Sequence, residues 1–66
     1  MQLTAILTPA SEGGYVALNP ETGTTTQGER VEEAIASLRE AVQLYLEEFP
    51  TDFSGAPIVT SFDIAA

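Results

Sequence analysis

The sequence predicts a single α+β domain over residues 1–66, with the element order β-β-β-α-β. Three observations support this fold class. Apolar and polar residues alternate near the start, apolar residues recur at three-then-four spacing over residues 31–49, and a second alternating segment covers residues 58–64. We therefore expect two layers, with one long amphipathic helix on a mostly antiparallel sheet.

The first two strands are predicted to form a hairpin. Residues 2–8 alternate apolar and polar side chains, which is typical of a half-buried strand. Pro9 suits a strand end because it has no backbone N–H. The glycine pair at 13–14 tolerates positive φ and predicts a turn, after which residues 15–18 form the returning strand.

Three threonines, residues 24–26, favour an extended backbone because they are β-branched, and they predict a short third strand that ends at Gly28. The helix then has two alternative starts. Thr26 and Glu29 have capping-box spacing, in which the hydroxyl and the carboxylate each satisfy a free N–H. A later start places Arg30 at the cap without a side-chain acceptor, at a cost of about 1 kcal/mol.

The predicted helix has an apolar face and an acidic face, and it stops at Pro50, which biases the preceding residue out of the helical region. The apolar positions after Val31 are Ala34, Ile35, Leu38, Ala41, Val42, Tyr45, Leu46 and Phe49. Unpaired acids dominate the opposite face. The residues that we expect to steer a basic partner are Glu32, Glu33, Glu40 and Glu47.

Residues 58–64 alternate apolar and polar side chains and predict a fourth strand. A single helix covers only one face of a sheet, so the other face is polar or meets a partner. The apolar candidates for that face are Ile6, Val59, and Val16 or Leu18. They are either scattered surface residues, which are common, or a homo-oligomer or partner interface, which we favour.

The residues predict no catalytic, cofactor or metal site. Adjacent glutamates on a solvated helix lack the pocket that perturbs a carboxylate pKa. The sequence has no His to activate a serine, and no Cys. The acids also lack the spacing of a metal-binding loop. We therefore expect a protein that is not an enzyme and uses no cofactor.

The net charge of the chain indicates which classes of partner it can bind. Ten acidic residues against two arginines give a formal net charge of -8, which repels phosphate backbones and speeds encounter with a basic protein. The alternative is that this charge only keeps a small protein soluble. No apolar run approaches the roughly 20 residues of a membrane span, and no signal peptide is recognisable. We expect a cytoplasmic protein with no direct nucleic-acid or membrane partner.

The stretch from Glu12 to Leu46 resembles the HicB-like family of antitoxins. That family has a Gly-Gly-Tyr hairpin followed by Gly-Cys-x-Thr-Gln-Gly-Asp-Thr-x-Glu-Glu-Ala at the start of its helix. The corresponding residues here are Gly13, Gly14, Tyr15 and the run from Gly23 to Ala34. The resemblance implies an inhibitor that masks the active-site His of a small basic mRNA-cleaving toxin.

The sequence departs from the family pattern at several positions. Thr24 replaces the usual Cys, Arg30 replaces Thr, and Glu21-Thr22 stands where Leu-Pro usually precedes the glycine. Many family members also carry a C-terminal segment that binds operator DNA. The sequence ends at Ala66, so we do not expect autorepression through this chain.

Two functional hypotheses follow. The first is a HicB-like binding protein that neutralises a small basic ribonuclease toxin by direct contact. The second is a free-standing HicB-like oligomer with a structural or regulatory role and no cognate toxin. In both we expect a homo-oligomer, because a domain of this size buries only about 60% of its unfolded surface and has a marginal core.

Overall fold

The computed structural model describes residues 1–65 and contains a three-stranded antiparallel sheet followed by one helix. The strands are β1 (Ile6–Pro9), β2 (Tyr15–Asn19) and β3 (Thr24–Gly28), and the helix is α1 (Val31–Glu48). The sheet order is β1-β2-β3, so β2 is central. The predicted α+β class, with three strands before one helix, is confirmed.

The hairpin register places Ile6 opposite Leu18 and Pro9 opposite Tyr15. Both turn glycines have positive φ, 101° at Gly13 and 75° at Gly14, as the turn requires. The predicted first strand is too long, however, because residues 2–5 pair with no strand. Their apolar alternation is explained instead by Leu3, which packs against the core from outside the sheet.

Two glycines allow the hairpin, the end of β3 and the first helical turn to meet. A Cβ at Gly28 would lie 2.5 Å from the backbone nitrogen of Ala34, and a Cβ at Gly14 would lie 2.6 Å from the carbonyl oxygen of Gly28. Both distances are far inside van der Waals contact. Close packing therefore requires glycine at both positions, and Gly14 also has the positive φ of the turn.

The helix begins with the later of the two predicted starts. Arg30 is the N-cap, with φ -125° and ψ 158°, and it makes no side-chain cap hydrogen bond. The capping box predicted at Thr26 and Glu29 is wrong, because Thr26 lies within β3. Its Oγ1 donates a hydrogen bond to the Ala34 carbonyl at 3.0 Å, which ties the strand to the helix.

The core lies between α1 and the sheet, with the helix against β2 and β3. Four buried apolar residues form its centre, and four partly buried residues surround them. The buried residues are Ala17, Ala34, Leu38 and Val42, and the surrounding ones are Leu3, Leu7, Tyr15 and Leu46. The core is small, as the chain length predicts.

The predicted fourth strand is absent from this structure. Residues 58–64 have no regular secondary structure and every one of them is exposed. Val59, expected on a sheet face, is 57% exposed and lies in this irregular segment. Alternation shows that a segment can form a strand, but a strand also needs an edge with which to pair. Among residues 1–65, no helix is long and apolar enough to cross a bilayer.

Candidate interaction surfaces

The sheet face away from the helix carries three of the four predicted interface residues. Opposite residues in an antiparallel pair share a face, so Ile6 and Leu18 lie side by side. Val16 lies two residues from Leu18 on the same face. The alternate residue Ala17 is fully buried under the helix, which establishes that this set faces outward. We call these three residues the open-face patch.

The open-face patch has a polar border. Val16 is paired with Thr8 on one side and Gln27 on the other, and Leu18 is paired with Thr25. The patch residues are half-buried, whereas the three bordering side chains are exposed. An apolar centre with a polar border is the composition of a protein contact surface. Val59 does not join it within the described chain.

The four predicted steering glutamates are all exposed on α1. Glu33, Glu40 and Glu47 recur every seven residues, so they form a stripe with successive members about 10 Å apart along the helix axis. Glu32 lies beside this stripe. Leu44 lies on the same side and is 58% exposed, which the predicted list of apolar positions missed because Leu44 is outside the core periodicity.

A hydrogen-bonded cluster joins residues 1–5 to the loop between β2 and β3. Asn19 is only 1% exposed. Its Nδ2 donates to the Thr4 carbonyl at 2.8 Å and to Glu21 Oε1 at 2.7 Å, while its Oδ1 accepts from the Thr22 backbone N–H at 2.9 Å. Sequence reasoning placed Asn19 in a loop only. The sequence does contain a signal for this role, because an Asn followed by Pro and polar residues is typical of an Asx turn, in which the Asn side chain bonds to the backbone.

The carboxylate of Glu21 acts as an acceptor in this cluster. Desolvation raises its pKa, but hydrogen bonds from the Thr4 backbone N–H, the Thr4 hydroxyl, its own backbone N–H and the Asn19 amide together outweigh that effect, so the pKa is lowered. The Thr4 N–H lies 3.1 and 3.2 Å from the two carboxylate oxygens. Glu21 is thus held ionised as a structural group and is unsuited to donate a proton.

A cleft of about 380 Å³ separates residues 1–5 from the adjoining side of α1. We call it the β1-side cleft. Its walls are mainly apolar, with Leu3 on one side and Val42 and Leu46 on the other. Arg39 is the only charged side chain among its lining residues. The cleft therefore has the character of a site for apolar side chains, and it offers no acid-base pair.

Within residues 1–65, no three His, Cys, Asp or Glu side chains gather in a way that could hold a metal ion. The glycines shared with the HicB-like pattern also have structural roles, because Gly14 and Gly28 allow the backbone to approach closely. The surfaces with functional potential in the described chain are therefore the open-face patch, the acidic stripe and the β1-side cleft.

Comparison with known proteins gives one informative relative. No family model matches the chain, and no solved structure matches it significantly. The chain is 48% identical over 48 residues to the UPF0150 protein ssl0738 of Synechocystis sp., and the match covers 71% of this chain and 67% of that protein. With this identity and coverage, the chain belongs to the UPF0150 family.

Proposed function

We propose that this chain is a HicB-like, non-enzymatic binding protein of the cytoplasm that neutralises a small basic mRNA-cleaving toxin by direct contact. The observation that carries the proposal is the pairing of an exposed acidic stripe with an apolar open-face patch on so small a domain. The HicB-like sequence pattern and membership of the UPF0150 family support the partner class.

Electrostatics supply the encounter step. The formal net charge is -8, and the stripe glutamates point into solvent along one side of α1. Complementary potentials accelerate association with a cationic protein by orders of magnitude at low salt and repel RNA or DNA. A cationic ribonuclease is thus drawn to the same field that keeps its substrate away.

The open-face patch supplies the contact that lasts after encounter. Its apolar centre consists of Ile6, Val16 and Leu18, and the polar border residues can form hydrogen bonds with water at the margin of the contact. Burial of apolar area stabilises a complex by about 25 cal/mol per Å² before the costs of association. The patch is therefore expected to govern dissociation, while the stripe governs association.

The decisive experiment is co-expression with the protein of the adjacent reading frame, provided that this frame encodes a small basic protein with a His. Copurification and loss of RNA cleavage are expected. Failure to copurify with any basic neighbour, or tight binding to duplex DNA at physiological salt, would contradict the antitoxin function. Failure to copurify, with a stable oligomer of this chain, would favour the free-standing oligomer without a toxin.

A charge-matched pair of variants tests the stripe. The first changes four stripe-side acids to Gln, at Glu32, Glu33, Glu40 and Glu47. The control also removes four charges, but elsewhere: Glu12→Gln, Glu29→Gln, Asp52→Asn and Asp63→Asn. Stopped-flow association with the toxin should slow at least several-fold more in the first variant. Equal slowing would show that only net charge matters.

The open-face patch is tested by Leu18→Glu, with Gln27→Glu as the control on the same face. We expect Leu18→Glu to raise the dissociation rate by at least about 100-fold, because an unpaired carboxylate would be buried in the contact. Gln27 lies in the polar border, so Gln27→Glu should change the dissociation rate by less than about fivefold. Circular dichroism of both variants verifies that the sheet and helix remain.

A further inference from the structure

Strand β1 is an edge strand of the described sheet. It pairs with β2 on one side only, and its other edge presents free backbone N–H and C=O groups. Such an edge is a template for another strand. The β1-side cleft lies between α1 and residues 1–5, the segment that leads directly into β1. An added strand that runs along β1 and continues along residues 1–5 would place the side chains of one face in this cleft.

A second segment of the chain has the alternation of a strand but pairs with no strand in the described copy. Residues 58–64, which we call the arm, alternate large apolar and small or polar side chains. Ile58 is 94% exposed, Phe62 82% and Ile64 78%. The radius of gyration is 13.2 Å, against about 11 Å for a compact chain of this length, so the described chain is more extended than a compact domain.

We propose that two copies of this chain exchange arms, so that residues 58–64 of each copy pair with the free β1 edge of the other. The seven-residue arm is about 23 Å long when extended, so it can cover the four residues of β1, about 13 Å, and continue along residues 1–5. Period-two alternation places Ile58, Phe62 and Ile64 on one face. That face fills the β1-side cleft of the second copy.

The exchange also explains the isolated position of Val59. If the even-numbered arm residues enter the cleft, Val59 points to the opposite face of the extended sheet. That is the face of Ile6, Val16 and Leu18. A second copy's Val59 therefore extends the open-face patch beyond β1, which no residue of the same chain does in this structure.

The segment before the arm lies against the start of the same chain, and no arm residue lines the β1-side cleft of the described copy. Residues 51–53 and 55–56 line a second cavity, of about 290 Å³, together with residues 1–3 and Glu21. They thus lie against the start of the chain, whereas every residue of the arm that follows is exposed. The β1-side cleft of the same copy stays empty.

The available area suits a second copy as the occupant, and the low charge of the arm limits the electrostatic repulsion between copies. A specific interface buries roughly 1,200–2,000 Å² in total, so each of the two arms and two clefts must contribute about 300–500 Å². This is about 40–70 Å² per arm residue, which such exposed side chains can supply. The arm carries one charge, Asp63, so it can approach a partner of net charge -8 with little added repulsion.

Light scattering after gel filtration of the full chain, over a hundredfold dilution series, tests the exchange. We expect a mass of twice 7.0 kDa at the higher concentrations, with the dimer favoured by added salt because salt screens repulsion between the bodies. Phe62→Glu should raise the dimer dissociation constant at least about 100-fold, whereas Ser61→Glu, with the same charge on the opposite arm face, should have a much smaller effect.

Disulfide trapping identifies the contact directly, because the chain has no native cysteine. A Phe62→Cys chain mixed with a Val42→Cys chain should form a disulfide between the two, and Ser61→Cys with Val42→Cys should not. In the double variant, a disulfide within one chain would show that the arm returns to its own cleft. That outcome, a monomer at every concentration, or a dimer indifferent to Phe62→Glu would overturn the exchange. None of these readouts involves a toxin.

Discussion

Leu38 and Phe62 are both large apolar residues in regular apolar patterns, yet Leu38 is 4% exposed and Phe62 is 82% exposed. Leu38 belongs to the body, residues 1–49, where its helix lies on a sheet formed earlier in the chain. Phe62 belongs to the arm, whose residues are all exposed in the described copy. The comparison shows that an apolar pattern expresses only a tendency, and that regular structure and burial also require a surface against which the segment packs.

The largest effect on the free energy of unfolding is expected for Gly28→Ala, which disrupts the contact between the helix and the sheet. The arm makes no such contact in the described copy. The added Cβ would meet the Ala34 backbone at 2.5 Å, which neither element can avoid without moving. We expect a loss of at least about 3 kcal/mol in the free energy of unfolding. Domains of this size have only about 3–10 kcal/mol, so much of the population should unfold.

Urea denaturation followed by circular dichroism measures this loss. Gly23→Ala is the control, because φ is +77° there and a Cβ would meet nothing within 4 Å. Only the backbone penalty, about 1 kcal/mol, is expected at that position. Equal losses in the two variants would show that close packing at Gly28 costs no more than the backbone penalty at Gly23, and would contradict the packing role of Gly28.

The next largest effect is expected for Leu38→Ala, with Ile58→Ala as its counterpart in the arm. Leu38 is buried, and truncation should cost about 2–5 kcal/mol through lost burial and a cavity. Ile58 is 94% exposed, and its truncation should cost less than about 0.5 kcal/mol when measured at concentrations where the chain is monomeric. Similar losses of unfolding free energy in the two variants would contradict the distinction between a packed body and an unpacked arm.

An intermediate effect is expected for Asn19→Ala, which removes four hydrogen bonds from a buried position. Leaving the Thr4 carbonyl and its neighbours without partners should cost about 1–3 kcal/mol. Asn19→Asp should cost more, because it replaces a donor by a carboxylate facing Glu21. Thr60→Ala in the arm removes only an exposed, 3.4 Å hydrogen bond and should leave the unfolding free energy unchanged.

A smaller effect of opposite sign is expected for Arg30→Thr. Arg30 has the extended backbone of an N-cap but provides no acceptor, and its positive charge opposes the helix dipole. Threonine should stabilise the body by about 1 kcal/mol, read as a higher melting temperature. Arg30→Ala removes the charge without adding an acceptor, so equal stabilisation by both variants would exclude capping as the cause.

The smallest effect, and one that depends on pH, concerns Glu21. Its pKa in the folded protein is lowered, so its contribution to stability is present above the unfolded-state pKa, near 4.5, and is lost as pH falls through the lower folded value. Glu21→Gln should therefore be less stable than the parent at pH 7, and the difference should shrink below about pH 4.5. A difference independent of pH would contradict this role, and Glu12→Gln is the exposed control.

The sequence by itself determined the α+β class, the second and third strands, and the end of the helix to within about a residue. These elements are encoded locally. Glycines at 13–14 specify the hairpin turn, the three threonines favour β3, and Pro50 stops α1. The sequence also predicted Ile6 and one of Val16 or Leu18 on the open face, and the structure places both Val16 and Leu18 there, because residues two apart in a strand share a face.

The tertiary structure alone decided the start of the helix, the buried hydrogen bonds of Asn19 and the fate of the arm. Thr26 fits a capping box in sequence, but pairing with Ala17 commits it to β3 and turns its hydroxyl to the Ala34 carbonyl. Residues 58–64 have strand alternation, yet they pair with nothing in this copy. Local patterns restrict φ and ψ, whereas the partner of each segment depends on surfaces brought together from distant parts of the chain, which no local spacing encodes.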